Sequence, residues 1–271
     1  MEIPELDPDR EDLAIKTINT ESYRVIPTPV GERPTHAHTA RRLVAANARL
    51  QEFSLEAERR IQPNSGSVRV RYTLESGQRA PSTNLDWADV ALPVEVASEL
   101  SPIASEVVHH LRTALEYIVF NMVWEDTGTR PTYWVKAPCH GTEDEWSRSM
   151  KSKPLRLLSS DHLSALGAVQ PFTGTPWLTH LTSLSNPDKH HSPIQVFPGI
   201  EFQIPKEMVL GQWQEVQTTT RFMAKVGEEQ LDYIETIHDI LRGLINLANP
   251  LLVEEGEHPI VISRRRHDDA V

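Results

Sequence analysis

The chain has 271 residues, a mass of 30.7 kDa and a single cysteine, which excludes an internal disulfide framework and any zinc site built from paired thiolates. Its formal net charge of −11 argues against broad binding to nucleic acid or anionic membrane, because both rely on an extended cationic field. There is no run of about 18 apolar residues, and the opening MEIPELDPDRED has neither a basic nor an apolar signal region, so a soluble, cytoplasmic protein is expected.

Residues 1–35 contain five prolines and no sustained period, and read as an extended arm. From His36 the text changes. Leu43, Ala46, Leu50, Phe53, Leu55 and Ala57 recur between charges and predict an amphipathic helix over 36–62. SVRVRYTLESG then alternates Val68, Val70, Tyr72 and Leu74 with polar residues, the pattern of a half-buried strand with a basic outer face. A loop follows through 76–100, with a weak strand over 88–92. Ser101 and Pro102 supply an N-cap and a first-turn proline for a helix over 101–124. In it Val107, Leu111, Leu115, Ile118 and Met122 share one stripe, and Glu106, His109, Thr113, Glu116 and Phe120 lie roughly opposite.

Three short helices are expected next, over 142–150, in SSDHLSALGAV and in PWLTHLTSLS. The third turns Leu178, Leu181 and Leu184 inward and stops before Pro187, because the residue preceding a proline is pushed out of helical geometry. IQVFPGIEFQIP and EVQTTTRFMAKV are rich in β-branched and aromatic residues and read as strands. A last helix over 228–249 stops at Asn249-Pro250, and PIVIS in the tail reads as an edge strand. The fold class is therefore α+β: one domain over 36–255 with a helical core and a small antiparallel sheet, between an arm (1–35) and a polar tail (256–271).

Twelve histidines make metal chemistry the first question. Glu-x-x-His, the inward motif of di-metal helix bundles, occurs at Glu106/His109, Glu235/His238 and Glu255/His258. The helical wheel turns Glu106, His109 and Glu235 away from their apolar stripes, whereas a bundle-core metal needs its carboxylates inside. No metal and no cofactor are therefore expected. Arg-x(4–6)-His, the signature of HEPN-type ribonucleases, occurs at Arg33/His38 and Arg156/His162, a count that chance alone supplies. Neither match carries the polar residue that usually follows the Arg, and the second straddles a Ser159-Ser160-Asp161 cap. There is no G-x-S-x-G, P-loop, dinucleotide or H-E-x-x-H motif, and Cys139 beside Pro138 reads as a packing residue. Arg41, Arg42, Arg49, Arg59, Arg60, Arg69 and Arg71 make region 41–71 locally cationic; a solvated face is favoured there over a nucleic-acid or acidic-partner surface.

Two segments remain, HHLRTALEY (109–117) and LTSLSNPDKHH (181–191). Leu111, Arg112, Ala114 and Leu115, with Leu181, Leu184, Asn186, Asp188, Lys189 and His190, resemble the L-R-x-A-L-[DE] helix and L-x-x-L-x-N-x-D-K-H motif of a bacterial, actinobacterial-type family of similar length with no assigned activity. The order of elements over 36–250 is also similar to that family. His110, Tyr117 and His191 depart from its pattern, and Glu116 stands where the family has Asp. The resemblance implies architecture and candidate residues, not a reaction.

Arg112 and Glu116 stand one turn apart and can pair across i,i+4. Asn186 can cap a new turn with Pro187 at its first position and Asp188 near its positive end, which leaves Lys189 and His190 without a structural role. If the two segments meet, Arg112 and Lys189 supply positive charge and His190 a group that titrates near neutral pH, a combination suited to a phosphate or carboxylate. The expectation is thus a non-catalytic binding or interaction protein with a polar site of Arg112, Glu116, Asn186, Asp188, Lys189 and His190, a protein or small anionic ligand as partner, and self-association into a homo-oligomer. The alternatives are a HEPN-like RNA- or nucleotide-processing effector with a toxin or phage-defence role, and a di-metal helical enzyme. No catalytic residue is assigned.

Overall fold

The computed structural model describes residues 34–60, 67–73, 82–86, 94–131, 135–152, 154–190, 194–203, 212–256 and 258–261. The amphipathic run after Thr35 forms helix α1 (Ala37–Arg60), which buries Leu43, Ala46, Leu50, Phe53 and Ala57 as its period requires. Leu55 departs from the expectation and is 62 % exposed, on the side of the helix turned from the core. Strands β1 (Ser67–Thr73) and β2 (Ser82–Asp86) follow; the expected strand over 88–92 lies outside the described residues.

Helix α2 (Val94–Thr127) is the axis of the fold, 34 residues or about 50 Å long. Val107, Leu111, Leu115, Ile118 and Met122 are all buried, and so are Leu100, Ala104, Val108, Ala114 and Val119. The face expected to lie opposite the stripe is itself partly covered, because α1 packs along one side of α2 and later elements pack along another. Glu116 is only 12 % exposed in consequence.

Helices α3 (Glu143–Ser149) and α4 (Ser160–Ala168) start on Thr142 and Ser159, whose side chains accept the backbone N–H of Glu145 and His162. Helix α5 (Trp177–His190) buries Trp177, Leu178, Leu181 and Leu184. Strands β3 (Val196–Gln203), β4 (Trp213–Val226) and β5 (Glu229–Asp232) complete an antiparallel sheet of order β2-β1-β4-β3, with β5 also paired to β4. Gly227 turns β4 into β5 at φ 63°, a conformation that other residues adopt only with strain. Helix α6 (Tyr233–Glu254) is capped by Asp232, whose carboxylate accepts from Glu235 N at 2.9 Å. The expected start at residue 228 is therefore five residues early, because 229–232 pair with β4 first.

The core closes where α1, β4 and α6 meet: Phe53 packs against Tyr233 in a tilted pair at 4.7 Å and meets Phe222 edge-on at 5.8 Å. The Tyr233 hydroxyl donates to Ala104 O of α2 at 3.0 Å, which satisfies the one polar atom of that buried ring. α5 approaches α6 closely at Gly243, where a Cβ would stand 2.5 Å from the Trp177 indole.

Three helices run through prolines that the sequence reading placed at their ends: Pro102 in α2, Pro187 in α5 and Pro250 in α6. Pro102 and Pro250 are exposed, and so are Ser98 and Asn246, whose carbonyls lose their i+4 donor; water can take those carbonyls. Apolar burial on both sides of each ring, Leu100 and Ala104 in one case, Ala248 and Leu251 in the other, outweighs one lost hydrogen bond. After α6, residues 258–261 form no strand. Instead the Asn249 side chain bonds both Ile260 N, at 2.8 Å, and Ile260 O, at 3.0 Å, and buries that side chain without a ladder. Among the described residues no helix is long and apolar enough to cross a membrane.

Candidate functional site

Arg112 lies in the middle of α2, between Leu111 and Leu115, and is 8 % exposed. Its Nε donates to Glu116 Oε1 at 3.0 Å, the expected i,i+4 pair, with side chains 10 % and 12 % exposed. The pair sits deeper than the edge position its sequence implies. Nη1 is buried with no hydrogen-bond partner. An unmet donor on a buried guanidinium is costly, of order 1–3 kcal/mol or more, so a second acceptor at that atom would be strongly favoured.

The chain that leaves α5 runs along the same stripe of α2. Ile194 N donates to Ser105 Oγ at 2.8 Å and Val196 N to Ser101 Oγ at 3.4 Å. At 100° per residue Ser101, Ser105, Arg112 and Glu116 fall within about 60° of one another. Asn186 is exposed on α5, which continues through Pro187, so Asn186 does not cap a new turn. The side chains of Asp188, Lys189 and His190 lie outside the described residues.

A second polar cluster, absent from the sequence reading, forms at the other end of α2. His36 is fully buried at the start of α1, and its backbone N–H, one of the donors every helix start leaves unpaired, goes to both carboxylate oxygens of Glu255 at 2.9 Å. Its Nε2 lies 3.1 Å from Glu125 Oε1, and its Nδ1 is buried without a partner. Asn121, one turn before Glu125, donates to Thr35 O at 2.7 Å and fixes the chain entering α1. Asp126 accepts from Ser159 N at 2.7 Å and stands 2.8 Å from His162 Nδ1, while His162 Nε2 lies 3.6 Å from Glu125 Oε2. Ser159, held by that bond, is the residue that caps α4 and so aims His162. Among the described residues, Glu125 and Asp126 form ion pairs only with imidazoles.

One sequence signal points to this cluster. Glu125 and Asp126 occupy the last turn of α2 and Glu254 and Glu255 end α6, where the helix dipole disfavours anions, and neither last turn carries a basic residue. Paired carboxylates at an unfavourable helix end imply a partner that comes from elsewhere in the fold.

The cationic region divides under structure. Arg49 pairs with Glu52 and Glu106, and Arg59 with Glu56, so part of its charge is neutralised locally. Arg42 Nη1 lies 3.0 Å from His110 Nδ1 across the α1–α2 groove. Burial, then the Arg42 charge and His109, hold His110 below the ordinary imidazole range, and burial with Arg41 and Arg42 does the same for His38. A neutral His110 is the form that accepts from Arg42.

The other candidates fall into structural roles. Glu106 and Glu235 are 53 % and 58 % exposed on their side chains and pair with Arg49 and Arg221, as the helical wheel predicts, so neither enters the bundle core. Arg156 is exposed, and His162 belongs to the Asp126 cluster; Arg33 lies outside the described residues. Cys139 Sγ is 3.8 Å from Leu178 O and packs against the core. Comparisons with protein-family models, with curated proteins and with solved structures gave no match to this chain.

Proposed function

We propose that the chain is a non-catalytic binding protein that takes a small anionic group, a phosphate or carboxylate, between Arg112 on α2 and the 186–191 corner that ends α5. The observation that carries this reading is the buried Arg112 guanidinium: Glu116 holds Nε, and Nη1 is a buried donor with no acceptor. Support for the corner's part comes from the backbone path, since the segment after α5 is bonded to Ser105 and Ser101 on the Arg112 stripe. Lys189 and His190 belong to that corner in sequence, and the cytosol is the setting that a single half-buried thiol suits. Membership of the L-R-x-A-L family and self-association belong to the same reading and rest on the sequence.

Thermal unfolding of wild type, Arg112→Gln and Lys189→Ala in sodium phosphate, sodium succinate and sodium chloride at equal ionic strength tests it. A ligand that binds only the folded chain raises Tm. The wild type is expected to gain stability in phosphate or succinate over chloride, and both variants to lose that gain. An equal gain in all three proteins would reduce it to a general salt effect. RNA cleavage by the wild type that Arg112→Gln abolishes would replace binding by catalysis.

A further inference from the structure

We infer that His36, Glu125 and Glu255 form a binding site for a first-row divalent transition-metal ion, with His162 and Asp126 holding the site from behind. This goes beyond the anion site, from which it is separate in residues and in chemistry.

The donor geometry comes first. One ligand atom from each of His36, Glu125 and Glu255 lies within 4.8 Å of the other two. Zinc–nitrogen and zinc–oxygen bonds of about 2.0–2.2 Å place neighbouring donors about 3.3–3.5 Å apart, so a shift well under a rotamer change closes the shell. The three residues arrive from three helix ends: the start of α1, the last turn of α2 and the cap of α6. Each is fixed by bonds that need no metal. Glu255 is anchored on His36 N, and the Asn121 bond to Thr35 O ties the backbone before His36 to α2.

The electrostatics point the same way. The C-terminal ends of α2 and α6 both carry carboxylates against their dipoles. A cation there would offset that placement; the ion-pair partners of Glu125 and Asp126 among the described residues are imidazoles, cationic only when protonated, while Asp126 and Glu255 also accept backbone N–H groups at the starts of α4 and α1.

Asp126 Oδ2 stands 2.8 Å from His162 Nδ1, and His162 Nε2 lies 3.6 Å from Glu125 Oε2. Glu125 thus lies between two ring nitrogens, at 3.1 and 3.6 Å. His162 is a positioning residue here, because it reaches Glu125 rather than the set of three.

Nitrogen with carboxylate oxygen and no sulfur selects zinc, manganese or iron(II) over magnesium and calcium, which take oxygen alone. Three protein donors, two of them at the surface, leave at least one coordination position for water. Bound there, the ion ties the entry to α1, the end of α2 and the end of α6 into one knot.

The test is calorimetric titration of chelator-treated full-length protein with zinc chloride and, separately, magnesium chloride. Wild type, His36→Gln, Glu255→Gln, His162→Gln and the surface control His109→Gln are compared, each first checked for wild-type far-UV circular dichroism without metal. Glu255→Gln keeps an oxygen for His36 N, so it tests the ligand should His36→Gln fail to fold. One zinc per chain is expected, weakened about 100-fold or more by Glu255→Gln and His36→Gln, about tenfold by His162→Gln and not by His109→Gln, with no magnesium binding. Cobalt(II) should give visible ligand-field bands that Glu255→Gln abolishes. Absence of zinc binding to wild type, or binding that Glu255→Gln leaves unchanged, overturns the site.

Discussion

The two polar clusters of α2 are built by opposite means. Arg112 and Glu116 are four residues apart on one helix and pair wherever that helix forms; burial turns the pair from a surface contact into a demanding one. The cluster at the end of α2 joins residues 36, 125, 126, 162 and 255, drawn from the ends of four helices, and exists only when all four are docked. The first is a local arrangement with one unmet donor. The second gathers carboxylates and imidazoles. A neutral ion pair with a spare donor and a group of carboxylates thus stand at two points of a helix about 50 Å long.

Removing one partner of the local pair should have the largest effect. Glu116→Ala leaves a buried guanidinium without its carboxylate and is expected to cost about 3 kcal/mol in urea unfolding, while Arg112→Leu with Glu116→Leu together should be close to neutral. A single-variant cost below about 1 kcal/mol would mean that the pair is effectively solvated. At the other cluster, Asp126→Ala removes the acceptor of Ser159 N and of His162, for about 2 kcal/mol in the absence of metal. The α4 cap is a step smaller: Ser159→Ala should cost about 1 kcal/mol, and a loss as large as that of Asp126→Ala would show that capping, not the carboxylate, holds α4.

The pH response is the smallest expected effect and belongs to the α1–α2 groove, apart from both clusters. His110 is held below its ordinary value of 6.5, so the unfolded chain takes up its proton first as pH falls. Its contribution is present above about pH 6.5 and is lost as pH drops through the lowered value. His110→Gln should flatten that part of the stability curve between pH 7 and pH 5; an unchanged slope would remove His110 from the account.

Local pattern made much of the fold legible. Apolar recurrence along α1, α2 and α6 marks their buried faces, and Ser159 before SDHL marks a cap, because each signal is contained in one turn or one helix. Prolines misled at 102, 187 and 250, since a proline's local cost is about one hydrogen bond and some strain, and the burial that offsets it comes from other elements. Arg112 with Glu116 was legible because i,i+4 spacing is local. His36 with Glu125 and Glu255 was not, for a sequence separation of 89 residues in one contact and 219 in another leaves no periodic trace. What the sequence does carry there is a local oddity, Glu125-Asp126 at a helix end that favours cations.

The anion site rests on one atom, and it can be read at that atom. In nitrogen-15 spectra of the arginine side chains, titration with inorganic phosphate should shift the Arg112 guanidinium resonances saturably, with Arg112→Gln used for assignment and Lys189→Ala weakening the response. Arg112 resonances that stay in place through the titration, while exposed arginines such as Arg41 and Arg59 shift with phosphate concentration, would contradict the account.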